Sequence, residues 1–143
     1  VQEKDQRPFV GEPKTASKRP ATSRESTGLI VAWQTAMHCR THAAVIARGT
    51  TAIGIGSGQT SRMDAVRLAM VKSQERHPIL AAGEPLVLAS DGALTAEHLH
   101  AAADVGVTAV MHPGGAAEDN DVADAADRRG MALVATGVRH FRH

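Results

Sequence analysis

The stretch GIGSGQTSRMDAVRLA, residues 54–69, decides the fold, because it links a β-rich run to an amphipathic run. Three alternate glycines precede a Gln-Thr-Ser-Arg turn, and Ser61 stands where the N-cap of the next helix is expected. Gln59, Ser61 and Arg62 at a helix N-terminus supply donors that suit an anion or an amide-bearing ligand. The stretch therefore predicts a strand, a tight turn and a helix that ends at about Arg76.

Three interpretations of this loop stay open from the residues alone. It could cradle a phosphate, line another ligand pocket, or provide only the backbone geometry of a turn. A Walker loop is excluded because no Gly-Lys-Ser/Thr follows the glycines. A dinucleotide-binding loop is disfavoured, since its last glycine stands three residues after the second and here the glycines alternate.

The composition predicts one domain with an aliphatic core. The chain has 143 residues, of which 43% are apolar and only 2% aromatic. The net charge of +1 selects neither nucleic acid nor an anionic membrane, so neither is expected as a partner. Cys39 is the single cysteine, which rules out an internal disulfide, and no apolar run suits a signal peptide or a membrane span. A cytoplasmic location is expected.

The chain divides into an arm or linker, residues 1–27, and a folded subdomain, residues 28–143. The arm is rich in charge, Pro, Ser and Thr and has few large apolar residues. Thr22 and Glu25 have the spacing of a capping box, which predicts a first helix from about Arg24 to about Arg40.

The remaining pattern predicts a three-layer α/β/α domain. The runs AAVIA and TTAIGIG are separated by a Gly-containing turn, so they open the sheet as an antiparallel hairpin. The runs PLVLAS, GVTAVMHP and GMALVATG predict parallel strands, because helices of about 95–105 and 118–129 separate them. The expected product is a mixed sheet with helices on both faces.

The histidines give only a weak indication of a metal site. His38, Cys39 and His42 lie close together, and two histidines four residues apart can chelate a metal on one helical face. No cysteine pair and no carboxylate stands near these three residues in the sequence, and the predicted helix ends at Arg40. No metal is therefore expected. His98 and His100 cannot share a helix face at a spacing of two, which predicts solvated surface residues.

The last residues, TGVRHFRH, combine two arginines and an aromatic ring behind a predicted strand. Arg139 and Phe141 lie on the same side of an extended chain, where they could bind a phosphate and stack a flat ring. The alternative is a solubilising basic tail.

Seven segments together resemble, in order, the C-terminal part of 5-aminoimidazole-4-carboxamide ribonucleotide (AICAR) formyltransferase. The glycine loop and the Arg-x-Phe-x-His end are its most specific features. In the bifunctional purine biosynthesis protein this activity follows an inosinate cyclohydrolase domain. The segments are VQEKD, SKRPAT, AWQTAMHCRTHAAV, GIGSGQTSRMDAVRLA, LASD, AAADVGVTAVMHPGG and DVADAADRRGMALVATGVRHFRH.

The resemblance implies a cytidine-deaminase-like fold and formyl transfer from 10-formyltetrahydrofolate to the 5-amino group of the ribonucleotide. The family uses two such subdomains in an intertwined homodimer, and this chain is similar to the second. The resemblance assigns Arg62 and Met63 to the pterin side of the folate, Asp91 to a hydrogen bond with the pterin, Pro113 and Gly114 to the border of the pocket, and Arg139 and Phe141 to the nucleotide.

The sequence departs from the family at three places. The catalytic Lys-His pair belongs to the first subdomain, and no Lys-His dipeptide occurs here. His42 stands in place of an Asn that positions the formyl group, so it is the candidate catalytic residue of this chain. The segment Gly92-Ala93-Leu94-Thr95 replaces an aromatic Phe-Phe-Pro-Phe run.

Two functional hypotheses follow. The chain either supplies half of a formyltransferase site, completed in a homo-oligomer or by a partner that carries the first subdomain, or it is a divergent paralogue. The paralogue would bind a nucleotide or partner, or catalyse another reaction, without folate chemistry.

Overall fold

The computed structural model describes residues 13–76 and 83–137. Within these ranges the chain forms six strands and four helices, none of them long and apolar enough to cross a membrane. In chain order they are β1 (Lys14–Thr15), α1 (Ser23–Met37), β2 (Ala44–Arg48), β3 (Thr51–Gly56), α2 (Arg62–Arg76), β4 (Leu86–Ser90), α3 (Ala96–Asp104), β5 (Val107–His112), α4 (Asp119–Arg128) and β6 (Ala132–Ala135).

The strands form one mixed sheet in the order β1-β6-β5-β4-β2-β3. Strand β2 pairs antiparallel with both β3 and β4, whereas β4, β5 and β6 are parallel neighbours. The predicted antiparallel hairpin followed by parallel strands is therefore confirmed. The parallel strands are joined by α3 and α4, as parallel pairing requires.

Helices cover both faces of the sheet, which confirms the three-layer prediction. On one face α1 packs Leu29, Trp33 and Met37 against the sheet. On the other face, α2, α3 and α4 enclose an aliphatic cluster with the alternate residues of the same strands. Ile46 faces this second cluster while its neighbour Val45 faces α1, so the central strands are buried on both sides.

The glycines of residues 54–69 serve helix packing. A side chain at Gly54 would collide with the main-chain oxygen of Ala69, and one at Gly56 with that of Ala65. Helix α2 therefore lies directly on β3, closer than any residue with a Cβ would permit. Gly58 has φ +64°, which a turn residue adopts most readily as glycine. These positions support the interpretation that the glycines provide backbone geometry.

The described part of the predicted arm, residues 13–27, contains an edge strand of the sheet and the start of α1. Lys14 and Thr15 pair antiparallel with β6. The guanidinium of Arg19 donates to the buried carboxylate of Glu25, which also accepts from the Thr108 hydroxyl at 2.6 Å. The division of the chain at 27/28 stays a prediction.

The predicted start of helix α1 is confirmed, and its predicted end is wrong. Thr22 and Glu25 form the predicted capping box, in which each side chain accepts from the other's main-chain N–H. The C-terminus is Met37 and not Arg40, because the chain tightens at His38 and then crosses to the loop after β3. There the main-chain N–H of Arg40 donates to the Ser57 hydroxyl at 2.9 Å, and its carbonyl oxygen accepts from Gly58 N at 2.8 Å.

Candidate functional site

Four chain segments meet at one edge of the sheet. Ala44, the first residue of β2, pairs with Ser90, the last residue of β4. The ends of β5 and β6 lie at the same edge, where His112 pairs with Ala135. The loops that follow parallel strands at their carboxyl ends form the usual ligand edge of α/β domains.

Arg62 and Asp91 form a buried ion pair at this edge. Arg62 is the first residue of α2, and the Ser61 hydroxyl caps that helix by accepting from Asp64 N at 3.1 Å. The Arg62 Nη1 donates to Asp91 Oδ1 and to the main-chain oxygen of Ala43. The side chains of Arg62 and Asp91 are 13% and 1% exposed. The guanidinium lies against Gly92, where a Cβ would collide with it.

The carboxylate of Asp91 also holds the loop before β2. Oδ1 accepts from Ala43 N at 3.1 Å, and Oδ2 accepts from the Thr41 hydroxyl at 2.9 Å. The main-chain N–H of Asp91 donates to the oxygen of Ala43 at 3.2 Å. Three protein donors therefore occupy the carboxylate, whose two oxygens offer about four lone-pair sites.

His42 lies between the two residues that Asp91 holds. The side chain is half-buried, and its Nδ1 is buried with no hydrogen-bond partner in the part of the chain that the structure describes. The main chain of His42 pairs with that of Gln59 at 3.5 Å in both directions. An unpaired buried ring nitrogen is costly unless a ligand satisfies it.

His38 and His42 do not have the helical spacing that could chelate a metal. His38 is the C-cap of α1 and His42 lies beyond the turn that follows, so the two do not share a helical face. Among residues 13–76 and 83–137, no three His, Cys, Asp or Glu side chains are grouped as a metal site would require.

His112 is a buried neutral side chain at the end of β5. Its Nδ1 accepts from Leu94 N at 3.1 Å, which ties the 92–95 segment to the sheet. Burial lowers the pKa of His112 to about 4, despite the nearby carboxylate of Asp119. Sequence reasoning gave His112 no role, although its place at a strand end one residue before Pro113 was an available signal.

His98 is buried, 6% exposed, and not a solvated surface residue. It occupies the third position of α3, where its Nδ1 accepts from Thr95 N at 2.9 Å. Burial first, and then the charge of Arg62, lower the pKa of His98. The spacing from His100 carried no information about burial, because helix capping turns His98 back toward the loop.

The structure describes some of the remaining predicted site residues and not others. Pro113 and Gly114 follow β5 at the same edge, and Pro113 O accepts from Gly137 N at 2.9 Å. Met63 follows Arg62 in α2 and is half-buried. Arg139 and Phe141 lie outside the described residues. The structure thus brings Arg62 and Asp91 into contact beside the His42 loop, while each ligand role stays a prediction.

Residues 92–95, where the sequence lacks the aromatic run of the family pattern, have structural roles of their own. Leu94 is 1% exposed and belongs to the core cluster under α2 and α3. Gly92 makes room for Arg62. This segment therefore serves the core and the ion pair, at the place where the family pattern has aromatic side chains.

Comparison with known proteins identifies relatives over almost the whole chain. It is 42% identical over 135 residues to the bifunctional purine biosynthesis protein PurH of Cereibacter sphaeroides, in a match that covers 91% of this chain and 26% of that protein. It is 41% identical over 145 residues to PurH of Chloroflexus aurantiacus, in a match that covers 100% of this chain and 28% of that protein. The chain thus spans about a quarter of the length of these relatives.

A solved structure shares the fold. A mutant of NE0047 in complex with 8-azaguanine superimposes with a TM-score of 0.50 and 17% identity, over 86% of this chain and 79% of that one. This likeness concerns the fold alone and confirms the predicted cytidine-deaminase-like architecture.

The family comparison agrees with the resemblance of the seven segments. The model of the AICARFT/IMPCHase bienzyme family matches residues 1–72, which include the glycine loop and all of β2 and β3. The chain belongs to the AICARFT/IMPCHase bienzyme family.

Proposed function

We propose that this chain supplies one half of a formyltransferase site in purine biosynthesis. The reaction would move a formyl group from 10-formyltetrahydrofolate to the amine of a purine-precursor ribonucleotide. The observation that supports this most is the meeting of Arg62, Asp91 and the His42 loop at one sheet edge, beside Pro113 and Gly114.

Arg62 is the residue best suited to orient the folate. Only Nη1 of its guanidinium hydrogen-bonds within the described part of the chain, which leaves the donors on Nε and Nη2 for ligand oxygens. The ion pair with Asp91 fixes the direction of the side chain before any ligand arrives. A prearranged donor loses less conformational entropy on binding.

His42 is the residue best suited to hold the transferring group. The buried Nδ1, which has no partner among the described residues, gives this loop a polar atom that a ligand could satisfy. A neutral imidazole can accept a hydrogen bond at one nitrogen and donate at the other, so it can replace part of what an Asn amide does. Folate, when bound, would supply the formyl group itself.

The proton chemistry requires a second chain or subdomain. No Lys-His dipeptide occurs in this sequence. Positioned proton transfer contributes about a hundredfold or more to such reactions. The partner is therefore a chain or subdomain that carries the first formyltransferase subdomain, or an oligomer that contains one. A cytoplasmic location and a homodimer belong to the same proposal.

A second candidate function is nucleotide binding without folate chemistry. It is favoured by the 92–95 segment, which directs Leu94 into the core and offers no aromatic wall. A lost wall of this kind costs several kcal/mol of binding, at about 25 cal/mol per Å² of apolar surface.

Titration calorimetry separates the two functions. The chain is titrated with the ribonucleotide and with a folate analogue, alone and mixed with the part of the Chloroflexus aurantiacus relative that lies outside the matched segment. The formyltransferase proposal predicts folate binding in the mixture, weakened by Arg62→Met. Nucleotide binding with no folate binding in either sample would favour the paralogue, and no binding of either ligand would contradict both.

A further inference from the structure

We propose that Asp91 is a positioning residue, which sets the geometry of His42 and Arg62 together and does not itself contact the ligand. The inference rests on the proposed function, since it assumes that these two side chains face the ligands. It departs from the role that the family resemblance assigns to Asp91, which is a hydrogen bond to the pterin.

The first support is the burial of the carboxylate. Asp91 is 1% exposed, and its two oxygens accept from the Thr41 hydroxyl, the Ala43 N–H and Arg62 Nη1. A ligand atom would have to reach the fourth lone pair, on Oδ2, in a place with almost no solvent access. The side chain is therefore turned toward protein donors.

The second support is where those donors stand in the sequence. Thr41 and Ala43 are the two neighbours of His42, and one oxygen of the carboxylate accepts from each. The main-chain bond from Asp91 N to Ala43 O fixes the same loop from the strand end. His42 is thus held from both sides, while its own ring nitrogen Nδ1 has no partner among the described residues.

The third support is that this arrangement needs a carboxylate. All three groups around Asp91 donate, and an amide in its place would turn a donor nitrogen toward one of them. The charge of Arg62 also requires an anion when the pair is this buried. Gly92 completes the arrangement, because a side chain there would displace the guanidinium.

The test uses the full chain and two readouts that do not depend on each other. The ring proton resonances of His42 are assigned by their loss in His42→Ala and are compared at one pH in wild type, Asp91→Asn and Thr41→Val. Thr41→Val removes the hydroxyl bond and keeps the ion pair. Ser90→Ala is the matched control, since it deletes a buried hydroxyl that bonds to Gly92 and not to the His42 loop.

We expect Asp91→Asn and Thr41→Val to shift the His42 ring resonances, and Ser90→Ala to leave them in place. If Asp91→Asn does not fold, Thr41→Val decides alone. Unshifted resonances in folded Thr41→Val would overturn the proposal.

The second readout is affinity for a folate analogue in the mixture that binds it. A positioning role predicts that Thr41→Val weakens binding severalfold, although Thr41→Val leaves every Asp91 oxygen in place. Unchanged affinity in folded Thr41→Val would contradict a positioning role that acts through the His42 loop. The resonance experiment needs no folate, so failure of the proposed function leaves it readable.

Discussion

The guanidinium of Arg62 and the carboxylate of Asp91 stand 29 residues apart in the sequence and pair at the edge of the sheet. The pair joins the start of α2 to the end of β4, and the same carboxylate joins both to the loop before β2. The turn that ends at Arg62 and the Ser90-Asp91 segment after β4 are therefore parts of one local structure.

Replacing Arg62 tests the strength of this link. Arg62→Met leaves a buried carboxylate without its cation, which costs about 3–5 kcal/mol in other proteins. We expect a loss of that size in the free energy of unfolding, measured by urea denaturation. Arg24→Met, which breaks the exposed pair with Glu84, is the control and should change far less. Equal losses of unfolding free energy in both variants would show that the Arg62–Asp91 pair stabilises the fold no more than an exposed ion pair does.

Adding a methyl group at Gly56 tests the packing of α2 on β3. Gly56→Ala places a Cβ against the main chain of Ala65 and forces the helix away. Overpacking of this kind costs about 1–3 kcal/mol. Thermal and urea unfolding measure the loss, and Ile55→Ala on the same strand is the control, because Ile55 is exposed. A Gly56→Ala protein as stable as wild type would contradict this account of how α2 packs on β3.

The buried imidazole of His112 predicts a pH dependence of stability. Its pKa of about 4 is lower than the ordinary value of 6.5, so the unfolded chain binds the proton more readily. The resulting stability is complete above pH 6.5 and is lost as the pH falls from about 6.5 to about 4. The difference amounts to about 3 kcal/mol.

His112→Asn provides the check on this prediction. An Asn keeps an acceptor for Leu94 N and does not titrate, so the slope of unfolding free energy between about pH 6.5 and 4 should flatten. Glu25→Gln should flatten the same slope at lower pH, between about pH 4.5 and about pH 2. Burial raises the pKa of Glu25, but hydrogen bonds from Arg19, Thr108 and Thr22 outweigh it and lower the value from 4.5 to about 2. An unchanged slope in His112→Asn would contradict the assignment.

The C-terminal Arg139 carries the predicted phosphate contact. Arg139→Ala should weaken binding of the ribonucleotide by about 1.5–3 kcal/mol, because a hydrogen bond to a charged group is lost. Calorimetry with the ribonucleotide measures this, and the free nucleoside should bind equally to both proteins. Arg142→Ala is the matched control from the same segment. Equal effects of the two variants would favour a basic tail.

Sequence patterns predicted the layers and the strand directions because both depend on local signals. Thr22 and Glu25 predicted the start of α1 by spacing alone, and hydrophobic runs predicted the strands. The end of α1 at Met37 was missed, because contacts of Arg40 with the loop after β3 end the helix. Burial of His98 was missed for a similar reason, since it depends on the turn at Thr95.

The site was predictable as a set of residues and not as an arrangement. The family resemblance named Arg62 and Asp91 as separate ligand contacts. That they contact each other depends on β2 lying between β3 and β4 in the sheet, which no single stretch of sequence encodes. The burial of His42 Nδ1 likewise depends on how separate segments pack around the loop.

A formyl-transfer assay tests the central claim most directly. The chain is mixed with the part of the Chloroflexus aurantiacus relative outside the matched segment, and formation of tetrahydrofolate is followed with the ribonucleotide and 10-formyltetrahydrofolate present. We predict turnover only in the mixture, with a strong loss in Arg62→Met and activity retained in His42→Asn. A mixture that binds both ligands and shows no turnover, with wild-type His42 or with Asn in its place, would contradict the account.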